Sequence, residues 1–134
     1  MKANAAKDEL IEAAARARNG ALAHFSQFRV GAALETADGA IYTGCNIESA
    51  TYGLTMCAER VAIWKALSEG VRQFKRIAVV ADTARLTPPC GSCRQIIWEF
   101  CGDVPVVLAN LSGDAETLHM AGLLPRPFDE KFLR

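Results

Sequence analysis

Apolar side chains recur along the chain in blocks whose spacing switches between helical and extended. Over residues 5–22, Leu10, Ile11, Ala14, Ala15 and Leu22 fall at helical spacing, which predicts a helix. Asn19-Gly20 near its end supplies capping or interrupting chemistry. Phe28 to Leu34 reads as a strand, Thr36-Ala37-Asp38-Gly39 as a turn, and Ala40 to Cys45 as the returning strand of a hairpin. Residues 46–56 are polar, irregular and long for a connection in a small domain, and such loops often carry function. Cys57 to Glu69 reads as a helix stopped by Gly70. Arg76 to Asp82 holds IAVVA, a short apolar run of the kind found in buried strands. After a loop ending in Pro88-Pro89, Gly91 to Phe100 reads as a helix and Val104 to Leu111 as another buried strand. A short segment around Leu118–Leu124 and a tail with Pro125 and Pro127 complete the chain.

The predicted order is helix, hairpin, helix, strand, helix, strand. Helices between buried strands imply crossover connections and parallel neighbours, whereas the hairpin strands are antiparallel. The expected class is α/β: a three-layer α/β/α arrangement around a mixed sheet.

At 134 residues, 51% of them hydrophobic, the chain is expected to form one domain, residues 1–134, with a core that needs no disulfide staples. Fifteen Lys and Arg balance fifteen Asp and Glu. Zero net charge argues against a polynucleotide partner, which requires several phosphate-neutralising charges, and against anionic membranes. No apolar run approaches the roughly 18 residues of a membrane-spanning helix, and the charged start of the chain has no apolar signal core. A cytoplasmic location is the expectation. Five cysteines, two of them in the C-x-x-C pair Cys90 and Cys93, then point to metal or redox chemistry.

Cys57-Ala58-Glu59-Arg60 and Pro89-Cys90-Gly91-Ser92-Cys93-Arg94-Gln95 each open a predicted helix. Helix starts carry unpaired N–H groups and partial positive charge, which stabilise thiolates. If the two starts lie side by side, three sulfurs converge, and three protein ligands suit a catalytic zinc whose fourth position is left for water. Glu59, two residues after Cys57, is then within reach of that water as a general base and acid. Arg60 and Arg94, each beside a ligand cysteine, are candidates to donate hydrogen bonds to sulfur and tune the metal. Taken alone, C-x-x-C also fits a redox pair or half of a structural zinc knuckle, and the two arginines also fit surface ion pairs. Cys45 and Cys101 read as buried small hydrophobes, Trp64 and Trp98 as core or interface residues, and His24 as a surface or satisfied polar group.

C-A-E-R followed by P-C-x-x-C-R-Q resembles the signature of zinc-dependent nucleoside deaminases. Phe28-Arg29-Val30-Gly31-Ala32-Ala33-Leu34 is similar to the F-x-V-G-A-A-L strand of cytidine deaminases, and Gly44-Cys45-Asn46-Ile47-Glu48 to their G-x-N-I-E segment. Tyr52-Gly53-Leu54-Thr55 and Leu123-Leu124-Pro125 with Phe128 also match, in family order over about residues 5–130. The chain resembles the short, three-cysteine, homotetrameric type.

The resemblance implies a central mixed sheet of about five strands and hydrolysis of cytidine and deoxycytidine to uridine and deoxyuridine, with release of ammonia. It implies one zinc per chain on Cys57, Cys90 and Cys93, water activated by that zinc, and Glu59 as proton shuttle. Asn46 and Glu48 would hold the ribose 3′-hydroxyl, Phe28 would pack beside the nucleoside, and backbone groups at Ala58 and near Pro88-Pro89 would read the pyrimidine edge. Phe128 is implied to complete a neighbour's site, and Tyr52 is a candidate subunit contact. Two positions depart from the family pattern: Pro88 stands where Ser or Thr is usual, and Arg126-Pro127 replaces a small pair before Phe128. A backbone carbonyl survives the first change and an N–H does not. The alternative readings are a deaminase of a modified cytosine nucleoside, N4-substituted or blasticidin-type, and a non-enzymatic zinc-binding module.

Overall fold

The computed structural model describes residues 8–134, so the first part of the expected N-terminal helix, residues 5–7, lies outside the described residues. Helix α1 (Glu9–Arg18) begins after Asp8, whose carboxylate accepts a hydrogen bond from the Leu10 N–H at 2.9 Å. That bond satisfies one of the donors every helix start leaves open. The helix stops at Asn19, short of the predicted Leu22. Leu22 instead forms an isolated parallel bridge with Ile47, its N–H reaching the Asn46 carbonyl at 3.0 Å. Its place in the helical pattern is coincidental, because the chain has already turned at Asn19-Gly20.

The hairpin forms from β1 (Val30–Thr36) and β2 (Ile41–Cys45), with Gly39 at φ 92° in the turn, a conformation that favours glycine. Phe28 and Arg29, predicted within the strand, precede it. Side chains take over the Phe28 backbone groups: the Ser26 hydroxyl accepts from its N–H at 3.0 Å, and Asn46 Nδ2 donates to its carbonyl at 2.8 Å. Then follow α2 (Ala58–Ser68), β3 (Phe74–Ala81), α3 (Gly91–Cys101), β4 (Pro105–Ala109), β5 (Ala115–His119) and the single turn α4 (Met120–Leu123). Strand β5 replaces part of the short segment expected near Leu118. Its side chains are mostly exposed, so it lacks the apolar run or alternation that marks a strand in sequence.

The five strands lie in the order β2-β1-β3-β4-β5. The β3–β4 pair, joined through α3, is parallel as the crossover argument requires, and the other pairs are antiparallel. The same argument makes β2 and β3 neighbours, and here it fails. Helix α2 carries the chain past β1, which pairs with both. The outer edge of a hairpin strand is as good a partner as the strand just completed.

Alternation along the central strands builds two cores. Ala32, Leu34, Ile77, Val79, Val106 and Leu108 face α2 and α3, while Ala33, Ala78, Val80 and Val107 face α1. The result is the three-layer α/β/α arrangement. Two glycines let the helices approach. A Cβ at Gly31 would lie 1.9 Å from the Ala14 carbonyl oxygen of α1, and one at Gly44 would lie 2.4 Å from the Ala58 carbonyl oxygen of α2. Both obstacles are backbone, so a larger residue at Gly44 pushes away the very turn that bears Cys57 and Glu59.

Cys45 and Cys101 are half-buried rather than fully buried, because each sits at the end of its element. Trp64 packs edge-on against Phe100, and Trp98 donates to Asp129 Oδ2 at 3.1 Å, tying the C-terminal segment to α3. His24 is exposed. Among the described residues no helix is long and apolar enough to cross a membrane.

Candidate active site

Helices α2 and α3 cover the same face of the sheet, and their first turns lie together. Cys57 is the residue that caps α2 and Cys90 the residue that caps α3. Neither side chain is spent on the cap, so both sulfurs are free to point elsewhere. Cys93, one turn into α3, is fully buried beneath them. The three sulfurs lie within 4.8 Å of one another, and Cys57 Sγ is 3.8 Å from Cys90 Sγ. A tetrahedral zinc with bonds of about 2.3 Å holds its sulfurs about 3.8 Å apart, so the cluster has the spacing the ion requires.

The charge balance agrees. The Cys57 thiol is held down to about 5: the Cys93 thiol hydrogen-bonds to it, which outweighs burial, and the Arg60 guanidinium acts in the same sense. That same hydrogen bond pushes the Cys93 thiol up, with burial and the charges of Glu59 and Cys57 adding to it. One thiolate therefore forms readily here, and three at this spacing need a cation among them. Arg60 Nη2 donates to Cys57 Sγ at 3.3 Å, and its Nε is buried without an acceptor, a donor to spare for a charged cluster. Arg94 differs from the expectation. Its Nε and Nη1 go to the carbonyls of Pro89 at 2.8 Å and Leu123 at 3.0 Å rather than to sulfur. It locks the start of α3 to α4, because α4 packs beside it and brings the Leu123 carbonyl within its reach.

Glu59 lies in the first turn of α2 and is 4% exposed. Burial pushes its carboxyl up to about 7; the backbone and Arg60 oppose this, and the Cys57 thiolate favours it. A carboxyl so placed can both take and release a proton at neutral pH.

A cleft of about 230 Å³ opens above these groups. Cys57, Ala58, Glu59 and Cys90 line it, with the apolar Phe28, Val30 and Val79 and the polar Ser26, Asn46, Glu48 and Thr55. Thr87 and Pro88 complete the lining. The loop that carries Pro88 is braced by a 3.0 Å contact between the Thr83 and Thr87 hydroxyls, and by Asn110 Nδ2 donating to the Thr83 carbonyl at 3.0 Å. Asn46 Oδ1 accepts from the Val30 N–H at 2.9 Å while its Nδ2 holds the Phe28 carbonyl, so the amide is fixed in orientation. Glu48 Oε1 accepts from the N–H groups of Phe25 and Ser26 at 2.9 and 3.0 Å. The long loop reaches the cleft because Ile47 and Met56 exchange two backbone hydrogen bonds of 2.9 Å, which delivers Cys57 to the helix start.

Of the residues singled out in the sequence, Phe28, Asn46, Glu48, Cys57, Ala58, Glu59 and Cys90 line one cleft, with Cys93 beneath it. Phe128 and Tyr52 do not line it: Phe128 stacks on Phe132 with ring centroids 5.6 Å apart, and Tyr52 meets Phe25 edge-on. Sequence reasoning missed Ser26, Thr55, Val79 and Thr87. Each is an ordinary residue in its segment, and only the folded cleft distinguishes it.

The family model for the cytidine and deoxycytidylate deaminase zinc-binding region matches residues 4–109. The cytidine deaminase of Sporosarcina psychrophila is 53% identical over 127 residues, covering 94% of this chain and 93% of that protein. The cytidine deaminase of Halalkalibacterium halodurans is also 53% identical, over 120 residues, with 89% and 91% coverage. The crystal structure of cytidine deaminase from Burkholderia pseudomallei superposes with a TM-score of 0.86 at 48% identity, covering 89% of this chain and 96% of that one.

Proposed function

The chain belongs to the cytidine and deoxycytidylate deaminase family, and from that premise we propose that it is a zinc enzyme that hydrolyses cytidine and deoxycytidine to the uracil nucleosides and ammonia. The observation that carries the reading is the convergence of three cysteine sulfurs beside a buried carboxyl at one nucleoside-sized cleft, Cys57, Cys90 and Glu59 lining it and Cys93 beneath. Cys57, Cys90 and Cys93 hold the zinc. When bound, zinc supplies the Lewis acidity that makes water a nucleophile at neutral pH.

Glu59 moves the protons. It takes one from the attacking water and delivers it to N3 of the cytosine ring, while the oxygen bonds to C4. It then takes the remaining proton from that oxygen and gives it to the amino nitrogen, which departs as ammonia and leaves the C4 carbonyl. One buried carboxyl whose affinity for protons is near neutral suits both transfers. Pro88 lines the cleft, and its carbonyl is the acceptor we assign to the departing amino group, a contact proline retains. Phe28 and Val79 flank the base. Asn46 and Glu48 take the sugar, Asn46 through its second Nδ2 hydrogen, which has no partner among the described residues.

The cleft favours a nucleoside over a nucleotide or a polynucleotide. Among the described residues no lysine or arginine lines it, and two carboxyls do, so a phosphate would meet like charge. Ultraviolet absorbance is expected to fall as purified protein converts cytidine and deoxycytidine, with cytosine in an oligonucleotide left unconverted. No loss of absorbance with either nucleoside would refute the assignment.

The same proposal includes a homotetramer in the cytoplasm, where the thiols stay reduced. Two exposed apolar groups support the assembly: Tyr52 and Leu54, 73% and 70% exposed beside the cleft, and Phe128 and Phe132, 58% and 70% exposed in the tail. Phe128 has no core position in its own chain, which fits closure of a neighbour's cleft. Phe128→Ala is expected to raise KM with zinc content intact, in a particle whose light-scattering mass is about four chains. Full activity at a mass of one or two chains would reject the shared site.

A further inference from the structure

We infer that Ser26 is a positioning residue for ribose recognition, holding the Glu48 carboxylate ready to accept the sugar hydroxyl; this rests on the role proposed for Glu48 above. The Ser26 hydroxyl donates to Glu48 Oε2 and accepts from the Phe28 N–H at 3.0 Å. The Ser26 N–H donates to Glu48 Oε1 at 3.0 Å, beside the Phe25 N–H at 2.9 Å. A serine has one hydroxyl proton, and here Glu48 receives it. Both Glu48 oxygens then act as acceptors, the pattern of an ionised carboxylate. In keeping with this, the Ser26 hydroxyl and then its N–H hold the Glu48 carboxyl below the usual range.

An ionised carboxylate has about four acceptor positions. Three are filled by the protein, all from residues 25 and 26. The remaining one, on Oε2, can be met only by a donor, and a sugar hydroxyl is the donor a nucleoside brings to the cleft. Ser26 thus fills one of the two acceptor positions on Oε2 and leaves the other for a ligand hydroxyl.

The same hydroxyl reaches the base side of the cleft. Gln27, between Ser26 and Phe28, sits at φ 60°, a left-handed conformation unfavourable for a residue with a side chain. The Ser26–Phe28 bond spans that residue, and Asn46 Nδ2 holds the Phe28 carbonyl from the other side. Phe28 is clamped at both backbone groups, so the ring that flanks the base and the carboxylate that takes the sugar share one anchor.

The test compares cytidine with 3′-deoxycytidine in the wild type, Ser26→Ala and Ser26→Thr. Ser26 is exposed, so neither substitution touches the core, and melting temperature and zinc content check the fold. Ser26→Ala is expected to lower kcat/KM for cytidine about tenfold, mostly through KM, and for 3′-deoxycytidine by a clearly smaller factor, the part carried by Phe28, so that the preference for cytidine narrows. Ser26→Thr, which keeps the hydroxyl, is expected to restore the preference for cytidine. Equal losses on both nucleosides, or full retention of the preference in Ser26→Ala, would overturn the role of Ser26 alone. A wild type that does not distinguish the two nucleosides would overturn the sugar-binding role of Glu48, and this inference with it.

Discussion

Glu59→Gln is expected to lose at least about 10⁴-fold in cytidine turnover, the upper end of what one general acid–base group contributes, because the same carboxyl serves two transfers in each cycle. Gln has the shape and the hydrogen-bonding atoms of Glu but cannot take a proton and return it. No other group in the cleft can substitute. Glu48 already accepts from Phe25 and Ser26, and both histidines are exposed and absent from the cleft lining. Fold and metal should survive, because the ligands are untouched and the exchange removes an ionisable group that burial disfavours. The measurements are ultraviolet absorbance with cytidine, elemental zinc and a thermal melt. A variant within a few-fold of the wild type would show that the proton moves by another route.

Cys90→Ala is expected to reduce both bound zinc and activity to a small fraction of the wild type. Cys90 is the ligand to choose because it is exposed, whereas Cys93 is fully buried and its loss would also leave a cavity. With two thiols left, the site offers too few ligands for a tightly held ion, and the spare donor of Arg60 has no anion to replace the lost one. Metal binding is coupled to folding, so the wild type should melt higher with zinc than after chelation, and the variant should not respond to added zinc. Cys45→Ala and Cys101→Ala, outside the cluster, should keep zinc at the wild-type level. Unchanged zinc in Cys90→Ala would remove that residue from the metal site.

Much of this was legible in local pattern. The starts of α2 and α3 at Cys57 and Cys90, the hairpin with its turn at Gly39, and the apolar strands β3 and β4 all follow from short-range signals. So does the chemistry proposed for the site, since C-A-E-R and P-C-x-x-C carry the candidate ligand and proton-transfer groups. Strand β5 was not legible as a strand, because a half-exposed edge needs little apolar surface. Leu22 was misread because helical spacing does not say where a helix ends.

By itself the sequence determined which residues could ligate zinc, which carboxyl stood next to them, and which segments were helix or strand. Those properties depend on groups a few residues apart, whose geometry is set by the local backbone. Tertiary structure decided what depends on distant segments. It inserted β1 between β2 and β3, and the two successive crossovers in one direction set the two helix starts on one face. It separated Arg60 from Arg94, alike in sequence as neighbours of a cysteine: Arg60 turns to sulfur, while α4 draws Arg94 to Leu123. It also joined Ser26 to Glu48, 22 residues away, in a bond no motif announces. Hydrogen-bond partners across such distances are chosen by which backbones pack together, and a side chain's identity alone does not carry that information.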